Sequence, residues 1–135
     1  MLERRFHLEI RTPQKLIYEG DVSSVKAPGE LGSFEILPGH IPFLTILETG
    51  EIRVRETDTP QSLAISGGVF EVLRTGVTVL SDTAEWAHEI DVERAETALQ
   101  RAQEHLASGD SGINRERAEA ALVRAKNRVR VASSS

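Results

Sequence analysis

The chain has 135 residues but no cysteine, and aromatic residues make up only 4% of it. The absence of cysteine excludes disulfides, thiolate nucleophiles and zinc-thiolate sites, and it fits a reducing compartment. Apolar residues make up 39% of the sequence, which is enough for a hydrophobic core. Because aromatic residues are scarce, we expect that core to be aliphatic.

Long apolar runs are also missing. No stretch approaches the roughly 18 residues that a membrane-spanning helix needs, and the start of the chain lacks the apolar segment of a signal peptide. We therefore expect a soluble, cytoplasmic protein that can still dock on a membrane complex. The net charge of −5 argues against nucleic-acid binding, because phosphates repel an acidic surface.

The charge is unevenly distributed. Residues 113–135 carry six basic residues against only Glu116 and Glu119. A basic tail on an acidic body predicts that the tail meets an anionic surface.

Catalytic motifs are lacking as well. The four histidines, His7, His40, His88 and His105, are not paired at metal-ligand spacing. Ser66-Gly67-Gly68 lacks the spacing and the lysine of a phosphate-binding loop, and it favours a bulge or a tight turn between strands. The sequence predicts no catalytic residue and no metal site, hence a non-catalytic protein. An enzyme of unrecognised type is the less favoured alternative.

Turn-forming residues are concentrated in the first part of the chain. All five prolines precede residue 61, and eight of the ten glycines precede residue 77. Between them, apolar and polar residues alternate over 6–11, 51–56, 69–73 and 77–80, and Arg74-Thr75-Gly76 predicts a hairpin turn. Alternation with a period of two indicates strands with one buried face, and many short strands favour a β-sandwich or barrel. We expect the strands to end near Asp82.

After Trp86 the apolar period becomes helical. Asp91 is a natural N-cap, and Ser108 to Gly112 break the pattern. The two apolar stripes are Ala95, Ala98, Leu99, Ala102 and Leu106, then Ala118, Ala121, Leu122, Ala125 and Val129. This pattern predicts an antiparallel helical hairpin. An alanine seam is weak, since each buried CH₂ contributes about 0.8 kcal/mol, so the hairpin suits a switch. The alternative is a hairpin that lies on the β-domain and never moves.

The segment from Pro28 to Phe43 combines turn formers with large apolar residues. These are Leu31, Phe34, Ile36, Leu37, Ile41 and Phe43. The segment is either a buried strand crossing or a binding edge, and we expect internal packing to account for most of the side chains.

Five arginines of the hairpin share a second pattern. Arg94 and Arg101 lie on one face of the first helix, and Arg117, Arg124 and Arg128 on one face of the second. Both sets flank their seams in the same rotational sense, so they are expected to converge on one face of the hairpin and to suit a polyphosphate. The alternative is a solvated basic face paired with Glu93, Glu104 and Glu119, which is the usual fate of a charge run.

The chain resembles the epsilon subunit of bacterial F-type ATP synthase over essentially its whole length. The similarity is carried by the order and spacing of five segments. These are the first strand ending in Thr12-Pro13, Leu37-Pro38-Gly39-His40-Ile41-Pro42, residues 65–72, residues 77–85, and Ile90-Asp91-Val92-Glu93-Arg94-Ala95.

The resemblance implies a ten-stranded β-sandwich over residues 1–88 and a regulatory helical hairpin over 89–135. It implies a peripheral, non-catalytic subunit of the central rotor stalk at the cytoplasmic face of the bacterial inner membrane. The implied partners are the gamma subunit, the c-ring and, when the hairpin is extended, the alpha/beta catalytic head. In that extended form the helices inhibit ATP hydrolysis. A free-standing ATP-sensing module is the alternative.

The resemblance also implies sites. No cofactor is required, but some members bind ATP as a regulatory ligand through an Ile-Asp-x-x-Arg-Ala motif, here Ile90, Asp91, Arg94 and Ala95. The matching further contacts are Glu85, Arg101, Arg117, Arg124 and Arg128. The implied contact with gamma and the c-ring involves Ser33, Glu35, Pro38, Gly39, His40 and Pro42. The chain departs from the family here, since Glu35 stands where glycine is common and Ser33 where an acidic residue is common.

Overall fold

The computed structural model describes residues 4–109 and 114–133 of the chain. Eight strands form one continuous sheet in the order β2-β1-β7-β6-β5-β3-β4, and β8 pairs with β6 beside this path. The strands are β1 (Phe6–Arg11), β2 (Leu16–Val22), β3 (Ser24–Gly29), β4 (Gly32–Ile36), β5 (Phe43–Arg55), β6 (Gln61–Leu73), β7 (Gly76–Ser81) and β8 (Ala84–Trp86). All neighbours are antiparallel except β1 and β7.

Two strands of 13 residues each, β5 and β6, fold this sheet into two layers. In both strands the buried side chains change parity partway along, from Leu47 to Ile52 in β5 and from Ile65 to Phe70 in β6. The first half of β6 pairs with β8, and its second half pairs with β7. Each long strand thus serves both layers of the sandwich.

This explains why the expected number of ten strands is wrong and the β-sandwich class is right. The described residues contain eight strands, and counting the halves of β5 and β6 separately gives ten. Gly67 and Gly68, expected between strands, lie inside β6, where their positive φ angles of 105° and 146° allow the bend. The strands also extend beyond Asp82, because β8 covers Ala84–Trp86.

The main core is aliphatic, as predicted, and Phe70 is its one fully buried aromatic side chain within the described residues. Its members come from the strands alone: Leu8, Ile10, Val22, Val25, Ala27, Ile36, Leu47, Ile52, Val54, Leu63, Ile65, Phe70, Val72, Val77 and Val79. The predicted hairpin turn is confirmed, since Leu73 pairs with Gly76 across Arg74-Thr75.

The predicted helices are α1 (Val92–Ala107) and α2 (Arg115–Ser133), which follow a 3₁₀ turn at Ala87–Glu89. Asp91 caps α1 as predicted, because its Oδ1 accepts from the Arg94 N–H at 3.1 Å. The expected break at 108–112 begins at Ser108, but its residues 110–112 lie outside the described part.

The helices are antiparallel, because the start of α1 and the end of α2 meet in one small core. That core joins Ala95, Val131 and Ala132 to Ala64, Ala87 and Ile90. Along the predicted seams Ala98 is the exception, since it is exposed on the outer side of α1. The hairpin therefore lies against the sandwich, and α2 makes most of the contact.

Candidate functional site

A cleft of ≈ 490 Å³ lies between α2 and the sandwich, within the size range of ligand pockets. We call it the α2 cleft. It is lined by three of the predicted nucleotide contacts, Glu85 of β8 and Arg124 and Arg128 of α2. The two arginines are one helical turn apart, so they lie on the same face of α2.

An ion pair crosses the α2 cleft. The Arg128 Nε donates to Glu85 Oε1 at 2.8 Å, and its Nη2 donates to Glu85 Oε2 at 3.2 Å. Both side chains are about one-third exposed, and the bidentate geometry fixes both planes. Arg124 is exposed, and within the described residues no carboxylate lies within ion-pair distance of it.

Asn127 forms the second polar tie of the cleft. Its side chain is buried, and Nδ2 donates to the Gly50 carbonyl at 2.8 Å and to the Ile65 carbonyl at 3.4 Å. Its Oδ1 accepts from Arg130 Nη2 at 2.9 Å. The amide is therefore satisfied on both sides and holds α2 on two strands of the sandwich.

The remaining predicted nucleotide contacts lie elsewhere, so the expected convergence of the five arginines on one face of the hairpin is not found. Asp91, Arg94 and Arg101 line a second pocket, on the exposed side of α1, which shares no lining residue with the α2 cleft. Ile90 and Ala95 are buried in the small core between hairpin and sandwich. Arg117 is exposed at the start of α2, where its N–H is capped by Asn114.

The alternative of a solvated basic face is found in part. Arg94, Arg101, Arg117 and Arg124 are exposed, but the described residues show no pairing of the five arginines with the expected glutamates. Glu119 pairs with Arg115 at 3.3 Å. In the described part of the chain, Glu93 and Glu104 form no ion pair with any of the five arginines. The nucleotide site stays a prediction, supported in part by the meeting of Glu85, Arg124 and Arg128.

Sequence reasoning missed several residues of the α2 cleft: Lys15, Ser66, Thr83, Glu89 and Asn127. Lys15 reaches the cleft from the β1–β2 turn, and Thr83 donates to Ser66 Oγ at 2.7 Å. Only Asn127 gave a local signal, as an amide two residues after a seam alanine. The others come together through tertiary pairing alone.

The residues predicted to meet gamma and the c-ring lie on one edge of the sandwich and on the loop that follows it. Ser33 and Glu35 are exposed on the edge strand β4, opposite Pro28 and Lys26 of β3. The loop 37–42 carries Pro38, Gly39, His40 and Pro42. Gly39 has φ 87°, a conformation that favours glycine. The His40 ring is fixed by an Nδ1 contact of 2.8 Å with the Leu37 carbonyl.

Internal packing does not account for the apolar side chains of this segment, contrary to expectation. Ile36 is buried and Phe34 packs against the core, but four of the six are exposed, namely Leu31, Leu37, Ile41 and Phe43. The segment contributes little to the core, because β4 is an edge strand and the loop lies outside it. This exposure is what the binding-edge alternative expects, and binding by this segment stays a prediction.

Apolar side chains also cross the outer face of the sheet. Ile46, Val69 and Leu80 are paired neighbours on β5, β6 and β7. Ile46 is 55% exposed, Leu80 52% and the nearby Leu44 64%. We call Leu44, Ile46, Val69 and Leu80 the outer apolar row.

Sequence comparison identifies the family. The beta-sandwich domain of the ATP synthase delta/epsilon chain matches residues 5–87, and its long alpha-helix domain matches residues 88–133. The chain belongs to the delta/epsilon family of ATP synthase subunits.

Curated relatives agree over nearly the whole chain. The ATP synthase epsilon chain of Desulforamulus reducens is 45% identical over 93% of this chain and 95% of its own length. That of Syntrophobacter fumaroxidans is 46% identical over 97% and 98%. The prediction of an epsilon-type, non-catalytic subunit of the synthase is thus confirmed.

Solved structures share the fold. A chain of the Euglena gracilis mitochondrial ATP synthase OSCP/F1/c-ring structure has a TM-score of 0.82 at 23% identity, over 97% of this chain and 82% of that one. A chain of the Tetrahymena thermophila central stalk/c-ring structure has a TM-score of 0.58 at 15% identity, over 99% and 98%. Neither described helix is long and apolar enough to cross a membrane.

Proposed function

We propose that the chain is a rotor subunit of a bacterial F-type ATP synthase, bound to gamma and the c-ring at the cytoplasmic face of the inner membrane. Its sandwich is the assembly module, and its hairpin regulates ATP hydrolysis. The chain performs no covalent chemistry; it transmits rotation and changes conformation.

The outer apolar row carries the assembly role. Contiguous exposed apolar side chains on a folded domain typically mark a protein interface. Here the row lies on the face of the sheet opposite to the one that packs the core, since Ile46, Val69 and Leu80 are cross-strand neighbours and Ile46 and Leu80 are more than half exposed. A partner that covers this surface would hold the sandwich and leave the hairpin free.

The contact between hairpin and sandwich supports the regulatory role. α2 rests on the strands through small side chains, with Asn127 and Arg128 as its polar ties to β5, β6 and β8. An interface of this kind has few apolar contacts, so it opens at lower free energy than the main core. Once open, the basic segment after Ile113 is available to an acidic surface of the alpha/beta head.

The α2 cleft supports ATP as the regulatory ligand. Arg124 offers a guanidinium group to phosphate oxygens. Glu85 and Arg128 lie on opposite sides of the cleft, so they form an ion pair only when the hairpin is folded onto the sandwich. ATP that binds there would favour the folded, non-inhibitory form by its differential affinity for the two forms.

Co-purification decides between this function and the free-standing ATP sensor. A stalk subunit is retained with gamma and the c-ring in a pull-down from detergent-solubilised membranes, whereas a sensor is not. Leu80→Asp should weaken this retention. Val123→Asp is the matched control, because Val123 is equally exposed at 52% but lies on α2. Loss of retention in neither variant, or in both, would contradict the role of the outer apolar row.

A further inference from the structure

A further groove of the sandwich shares no lining residue with the α2 cleft. It has a volume of ≈ 460 Å³ and lies between the start of β1, the β6–β7 turn and the loop 37–42. We call it the His40 groove. Arg4, Arg5 and Arg74 line it, together with His7, His40 and a single acid, Asp21.

The charge of the His40 groove contrasts with that of the domain around it. Three arginines against one aspartate leave a formal charge of +2 without the histidines. Residues 1–90 as a whole carry 8 basic and 14 acidic residues. A basic site within an acidic domain attracts anions locally rather than through the net charge.

For two of the arginines, the described part of the chain places no carboxylate within ion-pair distance. Arg4 and Arg74 form no ion pair within residues 4–109 and 114–133. The Arg4 guanidinium lies over Gly39, where an added Cβ would be 3.6 Å from its Nη2. Arg74 projects from the two-residue turn between β6 and β7.

The side chains of Arg5, His7 and His40 in the groove are held in place by contacts with neighbouring residues. Arg5 Nη1 donates to the Asp21 carbonyl at 3.0 Å. His7 lies between Glu19 at 3.1 Å and Asp21 at 3.4 Å, so the carboxylate of the one acid in the groove contacts the imidazole ring. Because a carbonyl only accepts, His40 Nδ1 donates to Leu37, which leaves Nε2 as the second polar atom of the ring.

We propose that the His40 groove binds a phosphate group, with Arg4 and Arg74 as its principal contacts. Guanidinium forks match phosphate oxygens in pairs, and such charge-assisted bonds are the strong ones. The phosphate is either that of an anionic lipid headgroup or a soluble phosphate. The lipid source rests on the proposed function, in which the loop 37–42 is turned toward the c-ring. The soluble source does not depend on that function.

The test uses the full chain and two matched double variants. Arg4→Gln with Arg74→Gln removes the principal contacts. Lys26→Gln with Arg53→Gln removes the same charge from two exposed, directly paired residues of β3 and β5. Circular dichroism checks that both variants are folded. Pyrophosphate and inorganic phosphate are titrated by NMR at low and high salt. Vesicles of phosphatidylglycerol and of phosphatidylcholine are tested by co-sedimentation.

We expect the wild type to bind pyrophosphate or phosphatidylglycerol vesicles, and the groove variant to bind about tenfold or more weakly, since each tenfold loss corresponds to about 1.4 kcal/mol. The Lys26/Arg53 control should stay near wild type. Binding of free phosphate alone identifies a soluble ligand, and binding of phosphatidylglycerol vesicles alone identifies a lipid. No binding of either, or equal weakening in both variants, overturns the proposal. Retention of gamma is measured separately, so failure here leaves the proposed function intact.

Discussion

Gly68 shows how a missing side chain lets the long strand β6 approach β7. Its φ is +146°, and an added Cβ would lie 2.0 Å from the Leu80 carbonyl oxygen, closer than any real contact. Gly68→Ala therefore adds a clash to backbone strain, and we expect it to lower the free energy of unfolding by about 3 kcal/mol. Urea denaturation followed by the fluorescence of Trp86 measures the loss.

Gly32 is the matched control for that substitution. Its φ is +128°, but an added Cβ would meet nothing within 4 Å. Gly32→Ala should thus show the strain without the clash, a loss of about 1 kcal/mol. Equal losses at the two glycines would mean that the contact with Leu80 is not the cause.

Asn127 is the residue on which the docking of α2 depends most directly. In Asn127→Asp, a carboxylate replaces the Nδ2 donor opposite the carbonyls of Gly50 and Ile65. An unsatisfied buried group costs about 1–3 kcal/mol, more when charged. We expect hydrogen exchange of α2 amides to accelerate while that of β1 and β7 stays unchanged. The exposed neighbour Lys126→Ala should change neither, and faster exchange throughout the sandwich would contradict a local role.

We expect the pKa of the His7 imidazole to lie above its ordinary value. The hydrogen bond to Glu19 raises the pKa of His7 most, and Asp21 raises it further. A raised folded-state pKa means that the stabilisation is present below the unfolded value of 6.5 and is lost as pH rises through the folded pKa. NMR titration of the imidazole should show this, and Glu19→Gln should bring the pKa down toward 6.5. An unchanged pKa in that variant would remove Glu19 as the cause.

At the scale of elements, the sandwich should fold without the hairpin. Every residue of the main core belongs to a strand. The smaller core, which the sandwich shares with the helices, contains only three buried residues that precede α1, namely Ala64, Ala87 and Ile90. We expect a chain ending at Glu89 to be soluble, to unfold cooperatively and to bind gamma. Its denaturation is compared with that of the full chain, and loss of gamma binding would show that the hairpin takes part in assembly.

The same elements show what the sequence can predict. β1, β7 and the second halves of β5 and β6 alternate cleanly, because each has one buried face, and both helices follow from the alanine stripes and the Asp91 cap. β2 to β4 were not predicted individually, since neighbouring apolar residues such as Ile17 and Tyr18 are both half-buried there. The full length of β6 could not be predicted from alternation. The side chains that β6 contributes to the main core are at odd-numbered positions before Gly67 and Gly68 and at even-numbered positions after them.

The candidate site depends on tertiary structure in a way that residue patterns cannot show. Glu85 and Arg128 are 43 residues apart, and no periodicity joins them; only resemblance to the family placed both in one set. Periodicity did put Arg124 and Arg128 on one face of α2, as found. Lys15 and Thr83 enter the cleft through the pairing of distant strands, so local sequence carries no signal for them.

At the scale of the whole molecule, the two arginines of the α2 cleft have separable roles. Arg128 is bound to Glu85 and therefore contributes to holding the hairpin in its folded position. Arg124 is exposed and is free of carboxylates in the described part of the chain. It can contact a phosphate without breaking a bond that holds the hairpin. ATP binding and hairpin docking should thus respond differently to the two substitutions.

Arg124→Ala should weaken ATP binding by about 10- to 100-fold, because a bond to a charged group contributes about 1.5–3 kcal/mol and about 1.4 kcal/mol is tenfold. It should leave the exchange of α2 amides without ATP unchanged. Arg128→Ala should weaken ATP binding and accelerate that exchange as well, since Glu85 loses its partner.

In the assembled synthase, Arg128→Ala should favour the extended hairpin and therefore lower the rate of ATP hydrolysis. Deletion of residues 90–135 should relieve that inhibition. Calorimetric ATP titration, hydrogen exchange and hydrolysis assays of the same variants provide the readouts. If millimolar ATP does not bind the wild type, the cleft is not a nucleotide site. If hydrolysis is unchanged by the deletion, the hairpin is a passive brace on the sandwich.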